Sequence, residues 1–182
     1  MFSDMKRIER DKLGSVPTVR LRAMEPEDLL FLYEMENDMS IWNVGVTTVP
    51  YSMKTLSGYI ESASGDIYAD KQVRMMADNE RGETIGMVDL FDFSPVHLRA
   101  ELGIVIKKEF RGFGYSEAII AKVMEYAKNV VHLHQIYAFV PSDNKSSVRM
   151  LKSVGFQQSI ELKDWLFDGE EYHAAYFFQI FL

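Results

Sequence analysis

The stretch Glu101–Ser116, ELGIVIKKEFRGFGYS, predicts a buried strand, a glycine-containing loop and the start of a helix. An apolar run typical of a strand covered on both faces is formed by Leu102, Ile104, Val105 and Ile106. Gly112 and Gly114 mark a sharp turn or a close backbone approach. From Ser116 apolar residues recur every three or four positions, which predicts a helix to about Val131. Because a helix N-terminus presents free N–H groups and the positive end of the dipole, this order indicates a phosphate site.

The loop differs from the two commonest phosphate-binding loops. A P-loop requires Gly-Lys-Ser/Thr, whereas Gly114 is followed by Tyr115 and Ser116. A dinucleotide fingerprint requires a third glycine, where this chain has Glu117. Residues 111–116 instead resemble the (Gln/Arg)-x-x-Gly-x-(Gly/Ala) loop of GCN5-related N-acetyltransferases (the GNAT superfamily), which holds the pyrophosphate of acetyl-CoA. Ser116 departs from Gly/Ala at the last position, although it is small and can cap the helix. The alternative is a tight loop before an amphipathic helix.

A second motif strengthens the resemblance. A predicted strand, Gln135–Val140, precedes Asn144 and Ser147, and the next short helix ends in Gly155-Phe156. This order is similar to the GNAT motif in which a strand leads to Asn-x-x-(Ser/Ala) and a helix closed by Gly-Phe. The chain looks most like the ribosomal-protein N-terminal acetyltransferases and the spermidine N-acetyltransferases.

The resemblance covers nearly the whole chain and implies the fold. We expect an α/β (α+β) acyl-CoA N-acyltransferase fold, with a twisted, mixed but mostly antiparallel sheet and flanking helices. One domain would span residues 1–182, with residues 1–16 as an N-terminal extension. The strand predictions are Thr18–Arg22, Val73–Asp78, Glu83–Phe91, His97–Ile106, Gln135–Val140, Ser159–Phe167 and Tyr172–Phe181. Helices are predicted near Pro26, at Met53–Ser62, after Ser116 and at Asn144–Val154, with an irregular segment at Ile41–Tyr51 and a turn at Asp92–Pro95.

The resemblance also implies how acetyl-CoA binds. The backbone that would hold the pyrophosphate belongs to Arg111, Gly112, Phe113, Gly114, Tyr115 and Ser116, and the Arg111 side chain would add positive charge. The pantetheine arm would lie like an extra strand against Ile104, Val105 and Ile106, with Asn144 bonding it from the other side. Asn144 is alternatively a helix cap, but Ser142 or Asp143 would serve equally well, which favours the binding role.

The chemistry implied is attack of a primary amine on the acetyl thioester. An alkylammonium group with a pKa near ~10.4 must first lose a proton, and Glu101 is the candidate base. Its alternative role is a structural partner for Arg99 or Arg22. Many GNAT enzymes carry a tyrosine seven residues after the asparagine, where this chain has Leu151, so Ser147 is the candidate to assist the departing thiol. Leu151 tilts the acceptor slightly towards a peptide N-terminus.

Composition narrows the function further. The 182 residues carry a net charge of −7, which argues against nonspecific nucleic-acid binding, and they include no cysteine, which excludes a cysteine acyl-enzyme. The sequence indicates no metal site and no membrane-spanning run, so we expect a cytoplasmic enzyme. An edge strand in the closing hairpin would allow a homodimer.

The sequence thus predicts an acetyl-CoA-dependent N-acetyltransferase working by direct attack in a ternary complex. The acceptor is a primary amine, either on a protein N-terminus or on a polyamine; an aminoglycoside-like amine stays open as well. The alternative is a non-catalytic GNAT-like sensor that binds acyl-CoA, which Leu151 and Ser116 would permit.

Overall fold

A computed structural model describes residues 16–38 and 49–182. Its seven described strands form one sheet in the order β1-β2-β3-β4-β5-β7-β6. Their bounds are Val19–Arg22 (β1), Val73–Asn79 (β2), Thr84–Ser94 (β3), Arg99–Ile106 (β4), Gln135–Pro141 (β5), Gln157–Phe167 (β6) and Tyr172–Phe181 (β7). Neighbouring strands run antiparallel except for β4 and β5, which are parallel.

Helices connect these strands on both faces of the sheet. Their bounds are Leu29–Glu36 (α1), Met53–Ser62 (α2), Ile67–Asp70 (α3), Tyr115–Tyr126 (α4) and Lys145–Ser153 (α5). Short 3-10 turns occupy Pro26–Asp28 and Lys108–Phe110, and a π-helical turn, Ala127–Val131, extends α4. Most of the predicted irregular segment at 41–51 lies outside the described residues. In the described parts of the chain, no helix has the length and hydropathy needed to cross a bilayer.

Two hydrophobic clusters pack against opposite faces of the sheet. The larger contains buried side chains of α4 and α5, including Ile119 and Leu151, and the smaller joins α1 and α2 to Met76 and Met87. The prediction that β4 is covered on both faces is only partly correct. The C-terminal end of β4 contacts both clusters. Glu101 and Gly103, however, are half-exposed on the side of the sheet that faces α1 and α2. Among the described residues, α1 and α2 cover the row formed by Met76, Met87 and Val105 and not the row of Glu101.

The turn between β3 and β4 lies later than predicted. We expected a turn at Asp92–Pro95 and a strand from His97, whereas β3 runs to Ser94 and β4 starts at Arg99. The reason is a bulge. Asp92 has φ 47°, in the left-handed region, and the β3–β4 register shifts between Phe91 and Ser94, so the chain kinks without leaving the ladder.

Candidate active site

A gap opens between the two parallel strands in the middle of the sheet. β4 and β5 pair only at Arg99 with Gln135, at Ala100 with Ile136 and at Glu101 with Tyr137. Beyond this point β4 continues to Ile106 and β5 to Pro141 without pairing to each other. Backbone groups along the gap therefore need partners, and an extended chain with amide groups would supply them. Residues Ile104, Val105 and Ile106, predicted to contact pantetheine, line one side of this gap.

Two helices begin at the open end of the gap. α4 follows the loop that leaves β4, and α5 starts four residues after Pro141 at the end of β5. Both N-termini therefore follow the carboxyl ends of the parallel strands that bound the gap. Free N–H groups and positive dipole ends at these positions favour an anion.

The glycine loop before α4 has the backbone that its sequence predicts. Gly112 and Gly114 have φ 84° and 87°, a region that a side chain makes costly. Gly114 is the N-cap of α4, and no side chain among the described residues caps the helix, so Ser116 does not act as the cap that its residue type allows. The Ser116 hydroxyl instead donates to the neighbouring Glu117 carboxylate at 2.9 Å. Within the described residues, the first-turn N–H groups therefore have no side-chain cap.

Arg111 lies between this loop and the end of β4. Its Nε donates to the Ile106 carbonyl at 2.7 Å, which fixes the guanidinium group at the open end of the gap. The side chain is otherwise exposed. Its positive charge is available to an anion at the α4 N-terminus.

Asn144 is the N-cap of α5. Its Oδ1 accepts from the Ser147 backbone N–H at 3.1 Å and from the Ser146 hydroxyl at 2.8 Å. The reasoning that Ser142 or Asp143 would make Asn144 redundant as a cap is therefore wrong. Capping uses only the oxygen of the side-chain amide, so the Nδ2 group remains a donor for a ligand in the gap.

Glu101 lies at the closed end of the gap, on the face opposite the larger hydrophobic cluster. Burial, and secondarily the negative charge of Asp92, raise its pKa from 4.5 to about 7. Among the described residues Glu101 forms no ion pair, and Arg22 pairs with Asp28 and Asp78 instead. The predicted alternative, a structural ion pair with Arg22 or Arg99, is not what the structure contains. A half-buried carboxyl with a pKa near neutrality is suited to general base catalysis.

Two further residues complete this end of the gap, and the sequence predictions missed both. Tyr137 stands beside Glu101 on the neighbouring strand, and its hydroxyl donates to the Asp92 carboxylate. Burial and this hydrogen bond raise the pKa of Tyr137 well above its usual value. Asp92 was assigned to a turn because Asp92, Ser94 and Pro95 are residue types that favour turns, and no local signal reveals a bulge.

An acidic group with one histidine occurs in the β6–β7 turn, away from the gap. Asp168, Glu171 and His173 place ligand atoms within 4.8 Å of one another. Backbone N–H groups of Glu171 and Glu170, together with the His173 ring, lower the pKa of Asp168 to about 2. These bonds close the turn, so the group is explained by the hairpin itself.

The family model for the acetyltransferase (GNAT) domain matches residues 18–157 of this chain. The chain belongs to the GNAT family. The predicted family, fold class and acetyltransferase character are thereby confirmed.

Curated relatives of this GNAT protein include polyamine enzymes. Spermidine N(1)-acetyltransferase of Escherichia coli is 28% identical over 168 residues, covering 90% of this chain and 86% of that protein. A candidate ribosomal N-acetyltransferase of Bacillus subtilis is 26% identical over 99 residues, 54% of each chain. Among solved structures, spermidine N-acetyltransferase from Vibrio cholerae in complex with CoA and spermine has a TM-score of 0.79 and 26% identity. That match covers 90% of this chain and 95% of the other.

At one position the residue type of this GNAT protein differs from that of many family members. Leu151, at the position of the usual tyrosine, is 2% exposed and belongs to the larger hydrophobic cluster. Its side chain is part of the core and supplies no acid. Ser147 lies one turn earlier, half-buried in the first turn of α5 and next to the Asn144 cap. Ser147 therefore stands on the β5 side of the gap, whereas the glycine loop follows β4 on the other side.

Proposed function

We propose that this GNAT protein transfers the acetyl group of acetyl-CoA to a primary amine of a polyamine such as spermidine. The observation that carries the proposal is the gap between β4 and β5. It has two helix N-termini at its open end and, at its closed end, a carboxyl group whose pKa is near 7. This arrangement matches a cosubstrate with phosphates at one end, amides in the middle and a reactive thioester at the other.

In this proposal the backbone of residues 111–116 holds the pyrophosphate, and the Arg111 guanidinium contributes charge. The pantetheine arm enters the gap as an additional strand beside Ile104, Val105 and Ile106. From the opposite side, the Asn144 Nδ2 group donates to it. The unpaired edges of the two strands and the absence of a side-chain cap on α4 support this placement.

Transfer then proceeds by direct attack. Glu101 accepts a proton from the ammonium group, and the neutral amine nitrogen attacks the thioester carbonyl carbon. A backbone N–H near Ile104 stabilises the oxyanion, and the C–S bond then breaks. The attacking nitrogen gives up its remaining extra proton to the CoA thiolate, so an N-acetylamine and CoA thiol are released, and Glu101 returns its proton to solvent. Ser147 donates a hydrogen bond to the departing sulfur. A thiol with a pKa of roughly 8.5 leaves tolerably as thiolate, so the tyrosine is dispensable.

A polyamine is favoured over a peptide N-terminus by two findings. The spermidine enzyme of E. coli is similar over 90% of this chain, whereas the candidate ribosomal enzyme is similar over 54%. The acceptor side of the gap also carries two neighbouring carboxyl groups, on Glu101 and Asp92, which suit a multiply charged cation. Leu151 is the one feature that favours the peptide. The proposal includes a cytoplasmic location and self-association through the backbone edge of β6, the outermost strand of the sheet.

The test is release of free thiol from acetyl-CoA with a panel of amines. The panel contains spermidine, spermine, an aminoglycoside and short peptides that begin with Ala or Ser. The proposal expects turnover with the polyamines at the highest kcat/KM. Turnover confined to peptides would refute the acceptor assignment. Tight acetyl-CoA binding without turnover on any amine would favour the sensor instead.

A further inference from the structure

Four aromatic rings form a continuous cluster that starts beside Glu101. Its members, called the aromatic ladder here, are Tyr137 and Phe139 on β5, Phe177 on β7 and Trp165 on β6. Phe139 is central, with ring centroids 5.9 Å from Tyr137, 5.2 Å from Phe177 and 5.8 Å from Trp165. Tyr137 also contacts Phe177 at 5.7 Å. The ladder therefore leads from the closed end of the gap across two more strands.

The outer end of the ladder is exposed. Trp165 is 55% exposed although it stacks on Phe139 with an interplanar angle of 28°. Tyr137, at the inner end, is buried, and Phe139 and Phe177 are half-buried. An indole ring exposed to this degree has a face available to a ligand.

A bulge in β6 places the indole ring. The β6–β7 register shifts between Leu162 and Leu166, and Asp164, directly before Trp165, has φ 51°. A non-glycine residue in the left-handed region is strained, and such strain persists where the surrounding structure enforces it. The bulge turns the Trp165 side chain so that it extends across β7 and stacks on Phe139 of β5. In a regular strand the side chain would stand over its own strand and would not contact β5.

A second bulge, at Asp92 in β3, lies at the inner end of the ladder. Asp92, with φ 47°, places its carboxylate on the Tyr137 hydroxyl, at the pair formed by Tyr137 and Glu101. The ladder thus begins at two carboxyl groups and ends at an exposed ring face. The faces of aromatic rings attract cations, and tryptophan is the strongest of them.

We propose that Trp165, together with Phe139 and Phe177, forms a subsite for a second cationic group of the acceptor. This inference rests on the proposed function and adds a determinant of its specificity. While one amine reacts beside Glu101, a distal ammonium group on the same flexible chain lies over the indole face. The carboxylates at the inner end and the ring faces at the outer end are together complementary to a linear polycation. A monoamine fills only the inner position.

The experiment compares Trp165→Leu and Trp165→Phe with a matched control, Phe167→Leu. Phe167 is 58% exposed on the same strand but contacts Tyr172 near the hairpin turn, outside the ladder. We measure kcat/KM for spermidine and for hexylamine, which has no second charge. We expect Trp165→Leu to lower kcat/KM for spermidine about fivefold and to change that for hexylamine less than twofold. Trp165→Phe gives a smaller loss, and Phe167→Leu leaves the ratio unchanged.

Two results would overturn the subsite. An equal loss on both amines would mean that Trp165 contributes only to hairpin packing. A change in sedimentation mass with unchanged amine selectivity would assign the ring to contacts between copies of the chain. Wild-type protein that acetylates neither amine would refute the proposed function itself, and that result is visible before any variant is made.

Discussion

Replacing Glu101 by Gln tests the assignment of the base. The substitution keeps the size of the side chain but removes its ability to accept a proton at neutral pH. General base catalysis contributes roughly 10²–10⁴-fold, so we expect kcat to fall by about that factor. The affinity for acetyl-CoA should stay within about twofold, because its contacts are assigned to the strand edges and the glycine loop.

The pH dependence of the wild-type enzyme follows from the same group. Only ionised Glu101 accepts a proton, and its pKa is raised to about 7. Accordingly, kcat/KM should increase with pH through about 7 and fall roughly tenfold between pH 8 and pH 6. Glu101→Gln should remove this inflection from the residual activity.

The free energy of unfolding should change with pH in the direction opposite to the activity, decreasing as the pH increases. The carboxyl of Glu101 binds its proton more tightly in the folded state, with a pKa raised from 4.5 to about 7. Its contribution is fully present below pH 4.5 and is lost as the pH increases through 7. Because the side chain is only half-buried, solvent screening reduces the loss to roughly 1–2 kcal/mol. At pH 8 Glu101→Gln should therefore unfold at higher urea concentration than wild type, with a smaller difference at pH 5.

Thiol release and urea denaturation, each measured at pH 5, 6, 7 and 8, check these expectations. Glu101 is not the base if Glu101→Gln retains wild-type turnover, or if the substitution lowers acetyl-CoA affinity as much as turnover. Equal destabilisation at pH 5 and pH 8 would show that Glu101 holds the sheet together and is not a half-buried base with a raised pKa.

Three further substitutions test the surroundings of the gap. Gly114→Val should weaken acetyl-CoA binding at least about tenfold by calorimetry, whereas Gly82→Val, with a similar positive φ but open space around it, should lose stability alone. Asp92→Asn should shift the inflection of kcat/KM to lower pH, because a negative charge near Glu101 is removed; an unmoved inflection would contradict this. Asn144→Asp should keep the cap but weaken acetyl-CoA binding, and unchanged affinity would leave Asn144 as a cap alone.

The elements to which we assign the cofactor were predictable because their sequence signals are local. The positive φ angles of Gly112 and Gly114 and the start of α4 follow from residues adjacent in the sequence. The same holds for α5 and for the β6–β7 hairpin. Glu101 was predicted as the base because the family resemblance places this strand residue near the thioester. Its raised pKa depends on burial and on Asp92, which the sequence does not reveal.

The residues that the sequence predictions missed depend on contacts between strands. Tyr137 lies beside Glu101 only because the parallel ladder ends at that pair, and Trp165 meets Phe139 only because β6 contains a bulge. Register shifts of this kind move a side chain across strands and have no short-range sequence signal. The prediction about the cap of α5 was wrong for a different reason. Ser142, Asp143 and Asn144 are all residue types that cap helices, so residue type alone does not identify which of them is the cap.

A competition between two amines in one reaction tests whether the protein acetylates a polyamine. Spermidine and a peptide with an N-terminal Ser are mixed at equal concentration with the protein and limiting acetyl-CoA, and the products are identified by mass spectrometry. We expect monoacetylated spermidine to form in large excess, with one CoA thiol released per acetyl group transferred. Acetylated peptide as the main product, or no acetylated amine at all, would contradict this expectation.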